Sequence, residues 1–210
     1  AYEIRPRDWS SDVCSSDLLA GMTSGTTSAI GALVVNNIGA DGVGTAAGTL
    51  TFNGSGSYLF NLHIRDPDSG GTTYKFNLVK SGTGTQTIAA SDRDGLTFTG
   101  TTTVNAGVLQ VGFGGAHSKL GTNSAATVNA GGTITFSRND NFTITNSFSG
   151  AGQIYMLGTN DGISNNQSGY TLSGNNSGFV GLYTLDRSNL RVSSQATFGG
   201  AAASVNVMDK

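Results

Sequence analysis

The chain has 210 residues, 32 of them glycine and only 2 proline, with 11% charged residues and a formal net charge of −2. Globular domains carry about 25% charged residues and about 7% glycine, so this chain is rich in glycine and poor in charge. With 37% hydrophobic residues, the balance argues against disorder, which needs high net charge and few apolar side chains. It offers no basic patch for nucleic acid, and no run approaches the roughly 20 apolar residues of a membrane-spanning helix. Helix is disfavoured from Thr23 onward, because glycine costs about 1 kcal/mol relative to alanine in a helix and Thr, Asn and Ser are also poor formers.

Residues 1–18, AYEIRPRDWSSDVCSSDL, stand apart in composition. They hold the only Trp (Trp9), the only Cys (Cys14), the only Glu (Glu3) and one of the two prolines, Pro6. The stretch from Asp8 to Leu18 looks like the conceptual translation of a short-read sequencing adapter. Ala1-Tyr2-Glu3-Ile4 resembles the flow-cell end of the same oligonucleotide, with index bases under Arg5, Pro6 and the start of Arg7. A signal peptide is the rival reading, but it requires an apolar stretch of about 7–15 residues behind a basic start, and this segment is polar throughout. Residues 1–18 are therefore expected to be an artefact with no native fold, and Cys14 says nothing about redox compartment. Setting aside Arg5, Arg7, Glu3, Asp8, Asp12 and Asp17 leaves nine basic and nine acidic residues. A cysteine-free remainder suits an exported protein.

Residues 19–47 read as weakly patterned lead-in coils, with one apolar run at Ile30-Gly31-Ala32-Leu33-Val34-Val35. Residues 48–210 alternate short β-favouring runs with Gly, Asn, Asp and Ser. Strands are expected at Thr49–Phe52, Tyr58–Ile64, Tyr74–Val79, Leu96–Phe98, Val108–Val111, Thr133–Phe136, Phe142–Ile144 and Leu190–Val192. Each is short, alternating and bounded by turn formers. A sandwich or a barrel could also be built from such runs, and repeats decide between them.

Thr103-Val104-Asn105-Ala106-Gly107 recurs as Thr127-Val128-Asn129-Ala130-Gly131, and Gly48-Thr49-Leu50-Thr51-Phe52 recurs as Gly132-Thr133-Ile134-Thr135-Phe136. A longer-range echo matches Phe98, Gly100, Val104, Leu109 and Val111 with Phe179, Gly181, Leu185, Leu190 and Val192. The short offset falls in the range of roughly 20–27 residues that suits one coil of a β-solenoid, and the long one suits three coils. A single coil cannot cover its own apolar row, so coils must stack at about 4.8 Å. Val104, Val128, Leu109 and Ile134 are expected to point inward, while Asn105, Asn129 and Asn206 are placed where stacked amides form a ladder.

Lys80-Ser81-Gly82-Thr83-Gly84, followed by Thr99-Gly100-Thr101-Thr102-Thr103-Val104-Asn105-Ala106-Gly107-Val108-Leu109, closely resembles the passenger-associated transport repeat of autotransporters. Its members pair a K-x-G-x-G segment with T-G-x-T-x-V-x-x-G-x-L. A more decayed copy runs from Phe148-Ser149-Gly150-Ala151-Gly152 through Phe179, with Leu182 and Tyr183 in place of the Thr pair and Asp186-Arg187-Ser188-Asn189 in place of the N-A-G turn. The resemblance covers residues 48–210. It implies a right-handed parallel β-helix on or beyond the outer membrane of a Gram-negative bacterium. The translocator barrel of such proteins is not matched, and the chain stops at Val207-Met208-Asp209-Lys210 in mid-pattern, as a truncated reading frame would.

Catalytic, cofactor-binding and metal-binding residues are not expected. Asp92-Arg93-Asp94-Gly95 and Asp66-Pro67-Asp68-Ser69-Gly70 offer paired carboxylates, but Asp and Gly are also the standard turn residues. Calcium wants about six to eight oxygens, which neither loop supplies alone. His63 and His117 have no second His or Cys nearby. Lys80 reads as a solvated stem beside the sheet, and Gly112-Phe113-Gly114-Gly115 lacks the context of a phosphate loop. The expected role is a surface stalk or adhesin rather than an enzyme. Host or matrix glycans or proteins are the candidate partners, and exposed terminal rungs are candidate sites of self-association. The alternatives are a carbohydrate- or matrix-binding module and a polysaccharide-degrading β-helix using Asp92, Asp94 and Lys80.

Overall fold

Alternating Thr, Val, Ile and Phe between glycine-rich corners favour strands that bury every second side chain. The computed structural model describes residues 17–23, 33–35, 47–61, 63–66, 75–89, 96–122, 124–158 and 169–208. Across these the chain is all-β, with parallel strands in sheets and one short helical turn.

The strands begin with β1 (Asp17–Leu19), β2 (Leu33–Val35), β3 (Gly48–Phe52), β4 (Ser57–Phe60) and β5 (His63–Arg65). Next come β6 (Phe76–Lys80), β7 (Thr85–Ile88), β8 (Thr102–Val104), β9 (Gly107–Gly115), β10 (Ala126–Val128), β11 (Gly132–Arg138) and β12 (Asn141–Ile144). The remainder are β13 (Phe148–Gly150), β14 (Gln153–Leu157), β15 (Gly169–Leu172), β16 (Gly178–Phe179), β17 (Leu182–Asp186), β18 (Asn189–Val192), α1 (Gln195–Phe198) and β19 (Ser204–Met208). The first sheet has seven strands in the order β1-β3-β6-β8-β10-β13-β16, and the second has seven in the order β4-β7-β9-β11-β14-β17-β19. A three-stranded sheet, β12-β15-β18, and the pair β2-β5 complete the set. Ile64 of β5 also bridges Leu96 in parallel.

Register turns this order into columns of like side chains. In the first sheet Phe52, Lys80, Val104 and Val128 are successive partners. In the second, Leu109, Ile134, Ile154 and Tyr183 follow one another, beside Ile88, Val111, Phe136, Met156 and Leu185. These apolar residues are buried and belong to one continuous core. Each fully covered Val, Leu, Ile or Phe contributes roughly 1.5–3 kcal/mol, so the stability is distributed along the columns.

The corners explain the glycines of the K-x-G-x-G segment. Gly84 N–H donates to Gly54 O at 3.0 Å, and Thr85 N–H to Gly56 O at 2.9 Å. A Cβ on Gly82 would come within 2.3 Å of the Asn53 backbone, and one on Gly84 within 2.1 Å of Gly56 O. Glycine is required there because one corner lies directly on another. Side-chain amides add further ties. Asn129 Nδ2 donates to Asn105 Oδ1 at 2.8 Å, and Asn105 Nδ2 to Ser81 Oγ at 3.1 Å. The buried Asn176 accepts from Phe148 N–H at 2.7 Å and donates to Thr197 O at 2.6 Å.

Several expectations are corrected. The run Tyr58–Ile64 is not one strand, since β4 pairs with β7 while β5 pairs with β2. Leu96–Phe98 contributes only the Leu96 bridge. The Thr103–Gly107 repeat is in register, with Thr103 beside Thr127. The longer-range echo is not, because it matches Val104 of the first sheet to Leu185 of the second. Following partners from Thr103 through Thr127 and Ser149 leads to Gly178, not to the Thr184 that the echo implies. Gly48–Phe52 and Gly132–Phe136 likewise share a pattern but lie in different sheets. Asn206 is not in the amide ladder; it sits within β19 beside Thr184. Apart from these corrections, β1 pairs with β3 through Asp17↔Leu50 and Leu19↔Phe52.

Candidate functional site

The charged residues weighed from sequence fall in different places. Asp68, Asp92 and Asp94 lie outside the described residues. His63 is in β5, and His117 is exposed in the segment after β9. Asp66 is a structural tie: its carboxylate accepts from Phe76 N–H at 2.8 Å, and from Thr99 N–H at 2.8 Å and Thr99 Oγ1 at 2.7 Å. Among the described residues no three His, Cys, Asp or Glu side chains group as metal ligands would.

Lys80 corrects its expected place as a solvated stem. It replaces a hydrophobe in the Phe52–Val104 column and is 2% exposed. Its ammonium donates to Gly82 O and, at 3.4 Å, to Ala106 O, joining two successive corners. Burial holds its pKa below the ordinary lysine value. Surrounded by carbonyls and aliphatic walls, this amine is a staple and does not face a substrate.

The outer face of the second sheet carries a polar column. Register places Thr87, Gln110, Thr135, Tyr155, Thr184 and Asn206 beside one another in that order. Tyr155 Oη donates to Asp186 Oδ2 at 2.6 Å and lies 3.3 Å from Met208 Sδ. Burial and the Asp186 carboxylate push the Tyr155 pKa up to about 12. Gln153 Nε2 donates to Thr184 Oγ1 at 2.7 Å. Thr87, Thr135 and Thr184 are buried, so the column meets solvent through Gln110, Tyr155 and Asn206, one half-buried ring and two amides.

A second cluster surrounds Arg138, which is 5% exposed. Its guanidinium forks onto Asp140, with Nε to Oδ1 and Nη2 to Oδ2 both at 2.8 Å. It also donates to the carbonyls of Ser118 and Ala116, and lies 4.0 Å from the Phe142 ring centroid. The Arg138 N–H donates to Tyr170 Oη at 3.1 Å; that hydroxyl shares its own proton between Leu157 O at 2.8 Å and Phe136 O at 3.1 Å. Burial raises the Tyr170 pKa above the ordinary tyrosine value. Arg138 thus pins the segment that follows β9. In β9 the register slips: Val111 pairs with Phe136 and Gly115 with Arg138, so two extra residues bulge out around Phe113. Phe113 is 71% exposed, between Gly112 and Gly114 at φ of 88° and 78°.

Sequence reasoning missed both clusters. The Ser137-Arg138-Asn139-Asp140 run carried a signal, a charge of each sign directly after an alternating strand, which is compatible with a local ion pair. Tyr155 and Asp186 are distant in sequence and meet only through the β14–β17 register. Comparison with known protein families, curated proteins and solved structures found no match.

Proposed function

We propose that the chain is a segment of a right-handed parallel β-helix with a structural and adhesive role, displayed at the outer membrane or released outside a Gram-negative-type bacterium. The observation that carries this is the register: from β3 onward each described strand of the first sheet is followed by one of the second, and both sheets grow by parallel addition. The right hand follows from the rule that strand–crossover–parallel strand connections are right-handed in about 98% of cases. The resemblance of Lys80–Gly84 and Thr99–Leu109 to autotransporter passenger repeats supports the cell-surface assignment. Corner glycines, amide ties and aliphatic columns all serve shape, as a spacer or scaffold requires.

No catalytic role is assigned. The carboxylates of Asp66, Asp140 and Asp186 are each bonded within the fold, which suits support better than acid–base chemistry. Turnover of an acidic glycan that disappears on Asp94→Ala would replace this reading with an enzymatic one. A second reading, a carbohydrate- or matrix-binding module, draws on the Gln110–Tyr155–Asn206 column. Self-association is also proposed: β19 exposes Val205, Val207 and Met208 on an edge strand, and open edges invite pairing.

The fold reading is tested by small-angle scattering and a crystal structure, which should give a rod growing about 4.8 Å per coil. A face-to-face antiparallel sandwich would end it. The role is tested by displaying the chain on a non-adherent bacterium and measuring attachment to matrix-coated surfaces. Attachment no greater than that of cells displaying an unrelated β-helix would remove the adhesive part.

A further inference from the structure

We propose that Met208 is an oxidative modification site, whose thioether takes one oxygen atom from a peroxide and whose sulfoxide releases β19 from Tyr155.

Tyr155 reaches across three strands. It stands on β14, in register with Thr184 of β17 and Asn206 of β19. Its hydroxyl donates to Asp186 Oδ2 on β17 at 2.6 Å and lies 3.3 Å from Met208 Sδ on β19. Met208 is itself beside Asp186 in the β17–β19 register. Among the described residues β19 is the outer member of the second sheet, paired with β17 alone, and all five of its residues are exposed. The Tyr155 hydroxyl is therefore a side-chain tie from the strand two places in to the strand at the edge.

Access separates the three methionines of the chain. Met208 is 41% exposed, whereas Met22 and Met156 are buried in the core. An oxidant must touch the sulfur, so Met208 reacts first. The sulfur lone pair attacks one peroxide oxygen and the O–O bond breaks. The departing hydroxide takes up the proton shed by the transferred oxygen, leaving water. The thioether is oxidised to a sulfoxide and the peroxide is reduced.

The consequence follows from the count of protons. The Tyr155 hydroxyl has one to donate, and the Asp186 carboxylate, only 8% exposed, receives it. A thioether is a weak acceptor and makes little claim on that proton. A sulfoxide oxygen is a strong acceptor with partial negative charge, and it would arise beside the same hydroxyl and the same carboxylate. Two strong acceptors then face a single donor, and the one with access to water is the sulfoxide. It turns outward, the contact from Tyr155 to β19 is lost, and a polar group stands where an apolar side chain had packed. The strand that loosens is the one with a single neighbour, where opening is easiest.

The full chain is treated with graded hydrogen peroxide at neutral pH. Each methionine is followed by peptide mass spectrometry, and amide hydrogen exchange is read across Ser204–Met208. Met208 sulfoxide should form about tenfold faster than the sulfoxides of Met22 and Met156. Exchange of the β19 amides should then accelerate by about fivefold or more, and a methionine sulfoxide reductase supplied with a dithiol should restore the original rate. Met208→Leu should abolish the response to peroxide. Tyr155→Phe should exchange faster in β19 before any oxidation and show little further change after it, while Met208 oxidises faster because no hydroxyl engages its sulfur. Equal oxidation rates at Met208 and Met156 overturn the site. Unchanged β19 exchange in the sulfoxide form, or an undiminished response in Tyr155→Phe, overturns the release.

Discussion

Asn129 Nδ2 donates to Asn105 Oδ1 at 2.8 Å, between equivalent positions of the Thr-Val-Asn-Ala-Gly repeat. The hydrogen bond and the register Thr103↔Thr127 and Val104↔Val128 report one alignment by two routes. Both amides are exposed, so water competes for them. Asn129→Ala should cost only about 0.5–1.5 kcal/mol, and Asn105→Ala combined with it should cost less than the sum of the two. Urea denaturation of the single and double variants measures this, and strict additivity would mean that the amides do not cooperate.

Tyr183 and Tyr170 make a contrasting pair. Both are fully buried, but the Tyr183 hydroxyl has no partner among the described residues, whereas Tyr170 Oη is bonded on both sides. Tyr183→Phe should therefore raise stability by about 1 kcal/mol, and Tyr170→Phe should lower it by roughly 1–3 kcal/mol by orphaning the Arg138 N–H. Thermal melts of the two variants should move in opposite directions.

Alkaline pH should act through two groups of opposite sign. Burial lowers the Lys80 pKa, so below the unfolded value of about 10.4 the unfolded chain binds more protons and stability rises with pH. Tyr155, raised to about 12, and Tyr170 and Tyr183, raised by burial, keep protons that the unfolded chain loses above about pH 10, so stability then falls. Denaturation midpoints from about pH 8 to pH 12 should show the maximum. Lys80→Met should flatten the rising limb and leave the falling limb in place.

Arg138→Met should destabilise by about 1–3 kcal/mol, because the Ala116 and Ser118 carbonyls and the partly exposed Asp140 would lose their donor. Replacing both, as Arg138→Met with Asp140→Leu, should recover part of the loss. Equal destabilisation of the single and double variants would mean that the ion pair is not the reason Arg138 is buried.

Gly84→Ala tests the corner. Its Cβ would meet the Gly56 carbonyl, which is backbone and cannot swing aside. A loss of several kcal/mol is expected, in line with other strained or overpacked sites. Proteolysis between β3 and β6 should accelerate in step.

The parts of the fold legible from sequence were those carried by alternation and by near-identical repeats. Thr133–Phe136 and Val108–Val111 alternate cleanly and form β11 and β9. Thr103–Gly107 and its copy fixed the correct neighbours. Strands β14 and β17, Gln153–Leu157 and Leu182–Asp186, alternate too, but they place Gln, Tyr, Thr and Asp on the outer side. They lie in and beside the decayed repeat copy, whose departures from the motif give no strand boundaries. The longer-range echo misled because Gly and apolar residues recur at corners of both sheets, so type matching cannot tell one sheet from the other. Lys80 was misplaced for a simpler reason: spacing put it in the inward row, yet charge suggested water, and the corner carbonyls that receive its ammonium appear only in three dimensions. The Arg138 and Tyr155 clusters depend on partners in neighbouring strands, which composition does not reveal.

The interval between partners in the first sheet is not constant. Leu50 lies beside Leu78, Leu78 beside Thr102, Thr102 beside Ala126, Ala126 beside Phe148 and Ser149 beside Gly178. The step from Ala126 to Phe148 is the shortest of these, and the step from Ser149 to Gly178 is the longest. Alignment survives because surplus length leaves through the connections rather than the strands. Such a chain tolerates grafts: a peptide inserted where a connection is already long should change the silhouette at that level alone, leaving the levels above and below unaware of it.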